Sequence, residues 1–158
     1  RGELIRAGTD WGVIENNRRQ MLKECPDVYF EITPTVSIMN VYHLPDFHKD
    51  WIDRGLLEPQ NVRMNILTYP TEYRIQIIPP KERKIFIDKY TEHIKWIDDN
   101  FGDGAAKRGF ESVLDFLQQE NYENLIPDFI DRNTPLDKLR GESLYQVAPE
   151  LKFLEERK

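Results

Sequence analysis

The stretch EITPTVSIMNVYHLPDFHKDWIDRG, residues 31–55, decides the fold because a β-rich run passes through a polar loop into an amphipathic helix. Val, Tyr, Phe and Ile dominate residues 28–33, which predicts a strand that residues 35–38 extend. Pro34 has no amide proton to give to a ladder. The strand therefore ends there, bulges, or has its proline position on an open side.

The helix that follows begins at Leu44-Pro45, with proline suited to the first turn, and Gly55 provides its stop. A second β-rich run covers residues 62–67, and a third covers residues 73–78. The distance between the first two runs suits a right-handed strand–helix–strand unit with parallel strands.

The rest of the chain is helical in pattern. A capped helix is predicted before the first strand, over residues 11–24. After Pro80, apolar residues recur at helical spacing. Further helices are predicted over residues 81–101 and 105–120, a shorter one around residues 125–130, and a last one in the tail. The organisation predicted is therefore an α/β part, residues 1–80, and a helical C-terminal extension, residues 81–158.

Two or three parallel strands make an incomplete fold, because parallel sheets are normally covered on both faces and have about five strands or more. A short sheet also leaves an open edge. The expectation is that the chain is the second half of a larger α/β sheet or barrel. Its first residue, Arg1, is consistent with a piece of a longer protein.

Bulk composition excludes several classes. The chain has 158 residues, a net charge of −6 and one cysteine. Basic residues are interleaved with acidic ones, so a nucleic acid partner is not expected. No apolar run approaches the roughly 20 residues that span a bilayer. The single Cys25 precludes an internal disulfide and suits a reducing, cytoplasmic compartment.

Metal and nucleophile patterns are weak. His43 and His48 are five residues apart, with Asp46 and Asp50 nearby, whereas helical zinc ligands need a spacing of four. A loop histidine and a helix-surface histidine are the simpler interpretation. His93 is interpreted as a solvated or core-edge residue, and no catalytic residue is assigned.

The loop after the first strand is the better candidate site, because ligands of α/β sheets bind beyond the carboxyl ends of the strands. Thr35, Ser37 and Asn40 offer hydroxyl and amide groups there. Their alternative role is internal, with Asn40 capping the loop and Ser37 bonding a neighbour. Arg6 is either a two-pronged clamp for a carboxylate at that end of the sheet or a plain surface arginine.

The strings IRAGTDW…IENN, TPTVSIMNVYHLPDFH and LDKLRGESLYQVAPEL together resemble the radical S-adenosylmethionine enzymes, in particular the group that contains a twitch domain. The likeness covers nearly the whole chain. It implies the C-terminal part of a parallel (β/α)6 partial TIM-like barrel, followed by the helical extension.

The resemblance also implies cofactors, S-adenosylmethionine and a [4Fe–4S] cluster held by a CxxxCxxC motif. Reductive cleavage of S-adenosylmethionine in this family yields a 5′-deoxyadenosyl radical, which abstracts hydrogen from a substrate. Here the cluster motif is absent, so this chain supplies no metal ligand and the fragment alone is expected to be inactive. With no further cysteines, no auxiliary cluster is expected in the extension.

Position by position, the likeness makes Arg6 the partner of the methionyl carboxylate. Thr35, Ser37 and Asn40 would lie near ribose and adenine, and Tyr69 would flank adenine. The substrate is unknown, with a peptide or protein among the candidates, and the oligomeric state is open. Two other hypotheses remain: a non-catalytic α/β plus helical interaction module, and an intact hydrolase- or transferase-like enzyme, which would lack any catalytic constellation.

Overall fold

The computed structural model describes residues 2–157, and helices account for 64% of the chain. Short 3₁₀ turns connect several of the elements. The α-helices and strands, in chain order, are α1 (Gly2–Ile5), α2 (Trp11–Glu24), β1 (Thr35–Val36), α3 (Leu44–Asp53), β2 (Asn65–Ile66), α4 (Pro80–Phe101), α5 (Ala105–Gln118), α6 (Ile126–Arg140) and α7 (Leu144–Val147). No described helix has both the length and the apolar character needed to cross a membrane.

The predicted partial (β/α)6 barrel is wrong for the described residues, which form a mostly helical structure with one two-stranded parallel sheet. The third predicted strand is absent because residues 71–73 and 75–77 form 3₁₀ turns. Ile75, Ile77 and Ile78 are all fully buried. A half-covered strand would alternate buried and exposed positions, so this segment packs as a compact turn against helices instead.

The parallel strand–helix–strand unit is confirmed. Thr35 pairs with Asn65 and Val36 with Ile66, and an isolated bridge joins Ile32 to Val62 in the same register. α3 forms the crossover, with Pro45 in its first turn as predicted. The first β-rich run therefore contributes mainly through its last residues, and most of residues 28–33 is irregular.

Pro34 lies inside this ladder and faces β2, contrary to the expectation of an open side. Its carbonyl accepts a hydrogen bond from the Asn65 amide at 3.1 Å, while the Ile32 amide donates to the Asn61 carbonyl at 3.0 Å. The intervening donor position belongs to proline, which has no amide proton. One rung is thus missing, which is why the ladder is divided into a bridge and a short strand pair.

The helices after β2 cover one face of the sheet. α4 and α5 pack extensively on each other, and Phe86, Tyr90 and Phe110 are fully buried between them and the sheet. The Tyr90 hydroxyl donates to the Val41 carbonyl at 2.8 Å, which fixes α4 against the loop after β1. The opposite face of the sheet carries the polar and exposed side chains of Thr33, Thr35 and Asn65.

Arg83, near the start of α4, joins three separate segments. Its side chain is 5% exposed. The guanidinium donates to five carbonyl oxygens, those of Ile78, Leu117, Gln119, Gln76 and Glu120, at 2.5 to 3.1 Å. Burial lowers the pKa of Arg83, but the carbonyl oxygens stabilise its positive charge. The 3₁₀ turn, α4 and the C-terminus of α5 therefore share one anchor.

Replacing Arg83 by methionine is expected to lower the free energy of unfolding by at least about 3 kcal/mol, because five carbonyl groups lose a charged donor. Urea unfolding followed by circular dichroism measures this loss. The adjacent Lys84→Met variant is the control, since Lys84 is exposed and its ion pair with Asp88 lies on the surface. Equal stability of the two variants would contradict the anchoring role.

Candidate functional site

A pocket of about 740 Å³ opens between the N-terminal helices and the end of β1. That volume is in the range of small-molecule sites. Its rim combines polar groups, including Arg6, Asp10 and Asn40, with the apolar side chains of Ile5, Val13 and Ile14. The lining therefore suits a ligand with one charged end and one apolar surface.

The turn between α1 and α2 places Arg6 on this rim. Gly8 adopts a φ of +83°, a left-handed conformation that glycine accepts without strain. Asp10 then caps α2 by accepting a hydrogen bond from the Val13 amide at 3.2 Å. Arg6 is exposed, and within residues 2–157 its guanidinium makes no hydrogen bond or ion pair. It is a cation available for an anion.

The loop after β1 is held by its own polar side chains. The Asn40 amide group accepts from the Ser37 backbone amide and donates to the Thr35 carbonyl, both at 2.9 Å. The Ser37 hydroxyl accepts from the Met39 amide at 3.3 Å, and Ser37 is buried. The internal role is therefore real for Ser37 and Asn40. Asn40 nevertheless reaches the pocket rim, where its oxygen and nitrogen keep further bonding capacity.

Of the five site residues predicted from the sequence, Arg6 and Asn40 line the same pocket. Thr35 contacts the site through its carbonyl bond to Asn40, and Ser37 lies buried behind the loop. Tyr69 follows β2, so it lies at the same carboxyl end of the strands. It is nevertheless 82% exposed and does not line the pocket. The structure thus unites part of the predicted set.

Sequence reasoning missed the apolar side of the pocket. Ile5, Val13 and Ile14 are exposed by 42%, 52% and 36%. The signal was present in α2, whose apolar residues occupy more than one side of the helix although its only buried residue is Arg18. Apolar side chains beyond those needed for packing are typical of a binding surface.

A cluster site does not fit this chain. Cys25 is exposed at the C-terminus of α2 and is the only cysteine of the chain. Among the described residues, no group of three or more His, Cys, Asp or Glu side chains is arranged to hold a metal ion. Any iron–sulfur chemistry would need ligands from elsewhere.

His48 and His93 form a buried pair. The helix-surface interpretation of His48 is wrong, and His93, interpreted as solvated or at the core edge, is buried. Nδ1 of His48 lies 2.9 Å from Nε2 of His93, and Nε2 of His48 lies 2.9 Å from the Pro59 carbonyl. Because a carbonyl only accepts, His48 carries its proton on Nε2, and Nε2 of His93 must donate to Nδ1 of His48. The pair therefore joins α3 to α4 through neutral rings.

Burial lowers the pKa of His48 to about 4 and that of His93 to about 3. The His93 ring stacks on Trp96 and meets the edge of Phe110. The positive charges of Lys49 and Lys89 also oppose its protonation. This environment suits a structural contact and keeps both rings neutral near neutral pH.

Comparison of the chain with protein-family models, with curated proteins and with solved structures finds no match.

The histidine pair predicts acid-sensitive stability. Both folded-state pKa values lie below the unfolded value of 6.5, so the unfolded chain binds more protons as the pH falls. Stability is full above about pH 6.5 and decreases by on the order of 2 kcal/mol per ring between pH 7 and pH 5. Urea unfolding at a series of pH values measures the slope.

His93→Gln keeps a side-chain donor but cannot titrate, so it is expected to flatten this slope. His43→Gln is the matched control, because His43 is exposed and lies outside the pair. An unchanged slope in the His93 variant would show that the pair is not the acid-sensitive contact.

Proposed function

We propose that the chain is the C-terminal portion of a radical S-adenosylmethionine enzyme and that its pocket binds part of S-adenosylmethionine. The sequence resemblance supplies the family. The observation that carries the proposal is that Arg6 and Asn40, two residues that the resemblance assigns to this ligand, line one pocket. The proposal concerns this pocket and requires only the two parallel strands beside it.

Arg6 is suited to the methionyl carboxylate. A guanidinium presents donors in a planar fork that matches the two oxygens of a carboxylate. Within the described residues the Arg6 fork is uncommitted, whereas Asp10 on the same rim caps α2. A carboxylate ligand therefore has a cation to meet and no need to displace an existing partner.

Asn40 is suited to a neutral polar group such as the ribose. Its two bonds to the loop hold the amide plane fixed at the end of β1. Fixed donors and acceptors bind with little loss of side-chain entropy. The apolar rim formed by Ile5, Val13 and Ile14 offers contact area for a base or a methylene chain.

The [4Fe–4S] cluster does not belong to these residues, since Cys25 stands alone. In the proposal, cluster ligands come from another part of a longer cytoplasmic protein, and the chain by itself has no activity. The substrate that such an enzyme would act on is left unassigned.

The second candidate function is an interaction module without catalysis. Its support is the exposed apolar side of the pocket and an open strand edge next to it. Binding of S-adenosylmethionine distinguishes the two functions, because an interaction module has no requirement for a nucleoside ligand.

Isothermal titration of the purified chain with S-adenosylmethionine is expected to show binding that weakens about tenfold or more in Arg6→Ala, since a charged hydrogen-bonded pair is lost. Arg19→Ala is the control, because Arg19 is exposed on α2 and does not line the pocket. Equal affinities for the two variants would remove Arg6 from the site.

The chemistry is tested on the longer protein, reconstituted anaerobically with iron and sulfide. Release of 5′-deoxyadenosine from S-adenosylmethionine in the presence of a reductant is expected, and the chain of 158 residues is expected to release none. A coding sequence that lacks a CxxxCxxC motif upstream of Arg1 would contradict the proposal.

A further inference from the structure

The outer edge of the β1 segment is an unpaired strand edge. In the observed register, residues 32, 34 and 36 direct their backbone groups toward β2, so Glu31, Thr33 and Thr35 direct theirs away from it. The amide and carbonyl of Glu31 and of Thr33, and the amide of Thr35, have no hydrogen-bond partner within residues 2–157. Thr33 and Thr35 are exposed.

The edge has a defined end. The Thr35 carbonyl is already bonded by the Asn40 amide group, so pairing cannot continue past this point. The open groups of alternate residues are separated by about 6.6 Å, the repeat of a β-ladder. Pro34, the residue that would interrupt a ladder, faces β2 and leaves the outer edge intact. Nothing in this edge opposes the addition of a strand.

An apolar wall accompanies the edge. Pro34 lines the same pocket as Ile5, Val13 and Ile14, so a groove extends from the β1 segment to the exposed side of α2. The other face of the β1 segment is polar, with Thr33 and Thr35 exposed and Glu31 paired to Arg63 at 3.4 Å. A strand laid along the edge would meet apolar side chains on one face and polar side chains on the other.

The charged residues at the end of the groove indicate which charge a bound segment would carry there. Arg6 is an uncommitted cation on the rim, whereas Asp10 is engaged in the cap of α2. An acidic residue at the end of an added strand would be favoured there, and a basic one disfavoured.

We propose that the outer edge of residues 31–35 is a docking site for an extended segment of another protein, which adds as a third strand with apolar residues facing α2 and an acidic residue facing Arg6. Strand addition draws its affinity from main-chain hydrogen bonds and its specificity from alternate side chains. The inference rests on the second candidate function, the interaction module, because a longer radical S-adenosylmethionine enzyme would pair this edge with its own upstream strands.

The test uses a fluorescein-labelled peptide of roughly nine residues in which valine alternates with threonine and an aspartate stands at each end, so that either strand direction presents a carboxylate to Arg6. Fluorescence anisotropy measures its binding to the whole chain. The control peptide has the same sequence with its valine and threonine amides N-methylated, which removes the ladder donors on both edges. We expect the control to bind about tenfold more weakly or worse, since its ladder donors are lost.

Two measurements on the protein complete the test. Val13→Asp is expected to weaken peptide binding about tenfold, while Leu139→Asp, on the exposed side of α6, leaves it unchanged. Amide exchange at Thr33 is expected to slow when the peptide is bound. The N-methylated peptide separates this result from a failure of S-adenosylmethionine to bind, because it changes only ladder donors and leaves the side chains of the pocket unchanged.

Each of several results would overturn the proposal: no binding of the peptide, equal binding of the N-methylated peptide, or an unchanged exchange rate at Thr33. Sedimentation of the chain without peptide provides the remaining outcome. A dimer in which the Thr33 amide is already protected would assign the edge to a second copy of this chain and refute a foreign segment.

Discussion

The fold depends on a buried positive charge that is stabilised by hydrogen bonds to backbone carbonyl oxygens. Arg83 places one guanidinium among carbonyl oxygens from the 3₁₀ turn after β2 and from the C-terminal end of α5. The last carbonyl groups of a helix lack intrahelical partners, so a cation there satisfies them and opposes the negative end of the helix dipole. Without this side chain, the Ile78 carbonyl in the turn that connects the sheet to α4 would lose its donor, and the Gln76 carbonyl would keep only the Tyr122 amide.

Burial differs between the helices that follow β2 and the helix α2. α4 and α5 bury Phe86, Tyr90 and Phe110 completely, and the His48–His93 contact ties α3 to the same helices. α2, in contrast, buries only Arg18, whose Nε donates to the Leu56 carbonyl at 2.8 Å and whose guanidinium lies 3.8 Å from the centre of the Phe30 ring. The helices after β2 therefore form the densely packed side of the molecule, and the pocket lies beside the sparsely buried α2.

Local patterns predicted the elements whose contacts are close in sequence. The apolar spacing of α2, α3, α4 and α5 and the parallel pairing of the first two β-rich runs all followed from residue type and distance along the chain. The predicted strand over residues 73–78 is wrong. β-branched residues favour any buried extended segment, and here Arg74 and Ile78 are extended only at the ends of short turns. α6 likewise continues through Pro135 to Arg140, whereas a shorter helix around residues 125–130 was predicted.

Partners remote in sequence were beyond such reasoning. His48 and His93 are 45 residues apart, and each alone resembles a surface histidine. The anchoring role of Arg83 could not be predicted from the sequence either, because its partners are backbone carbonyls, which every type of residue carries. Arg6 and Asn40 were identified as site residues only through the family resemblance and the rule that ligands bind at strand ends. The internal bonds of Asn40 were one of two open alternatives.

The pocket and the open edge meet at Asn40, and this residue therefore has two roles. By bonding the Thr35 carbonyl, it ends the ladder available on the outer edge, and by reaching the rim, it presents its remaining bonding capacity to the pocket. A segment on the edge and a small molecule in the pocket would both contact the Arg6 rim, so each would alter the free energy of binding of the other. One side of this region is formed by α2, whose only buried residue is Arg18. Regions with few buried contacts open at low free-energy cost. Ordering of α2 by one ligand would therefore lower the entropic cost of binding the other. Direct competition for Arg6 would act in the opposite direction.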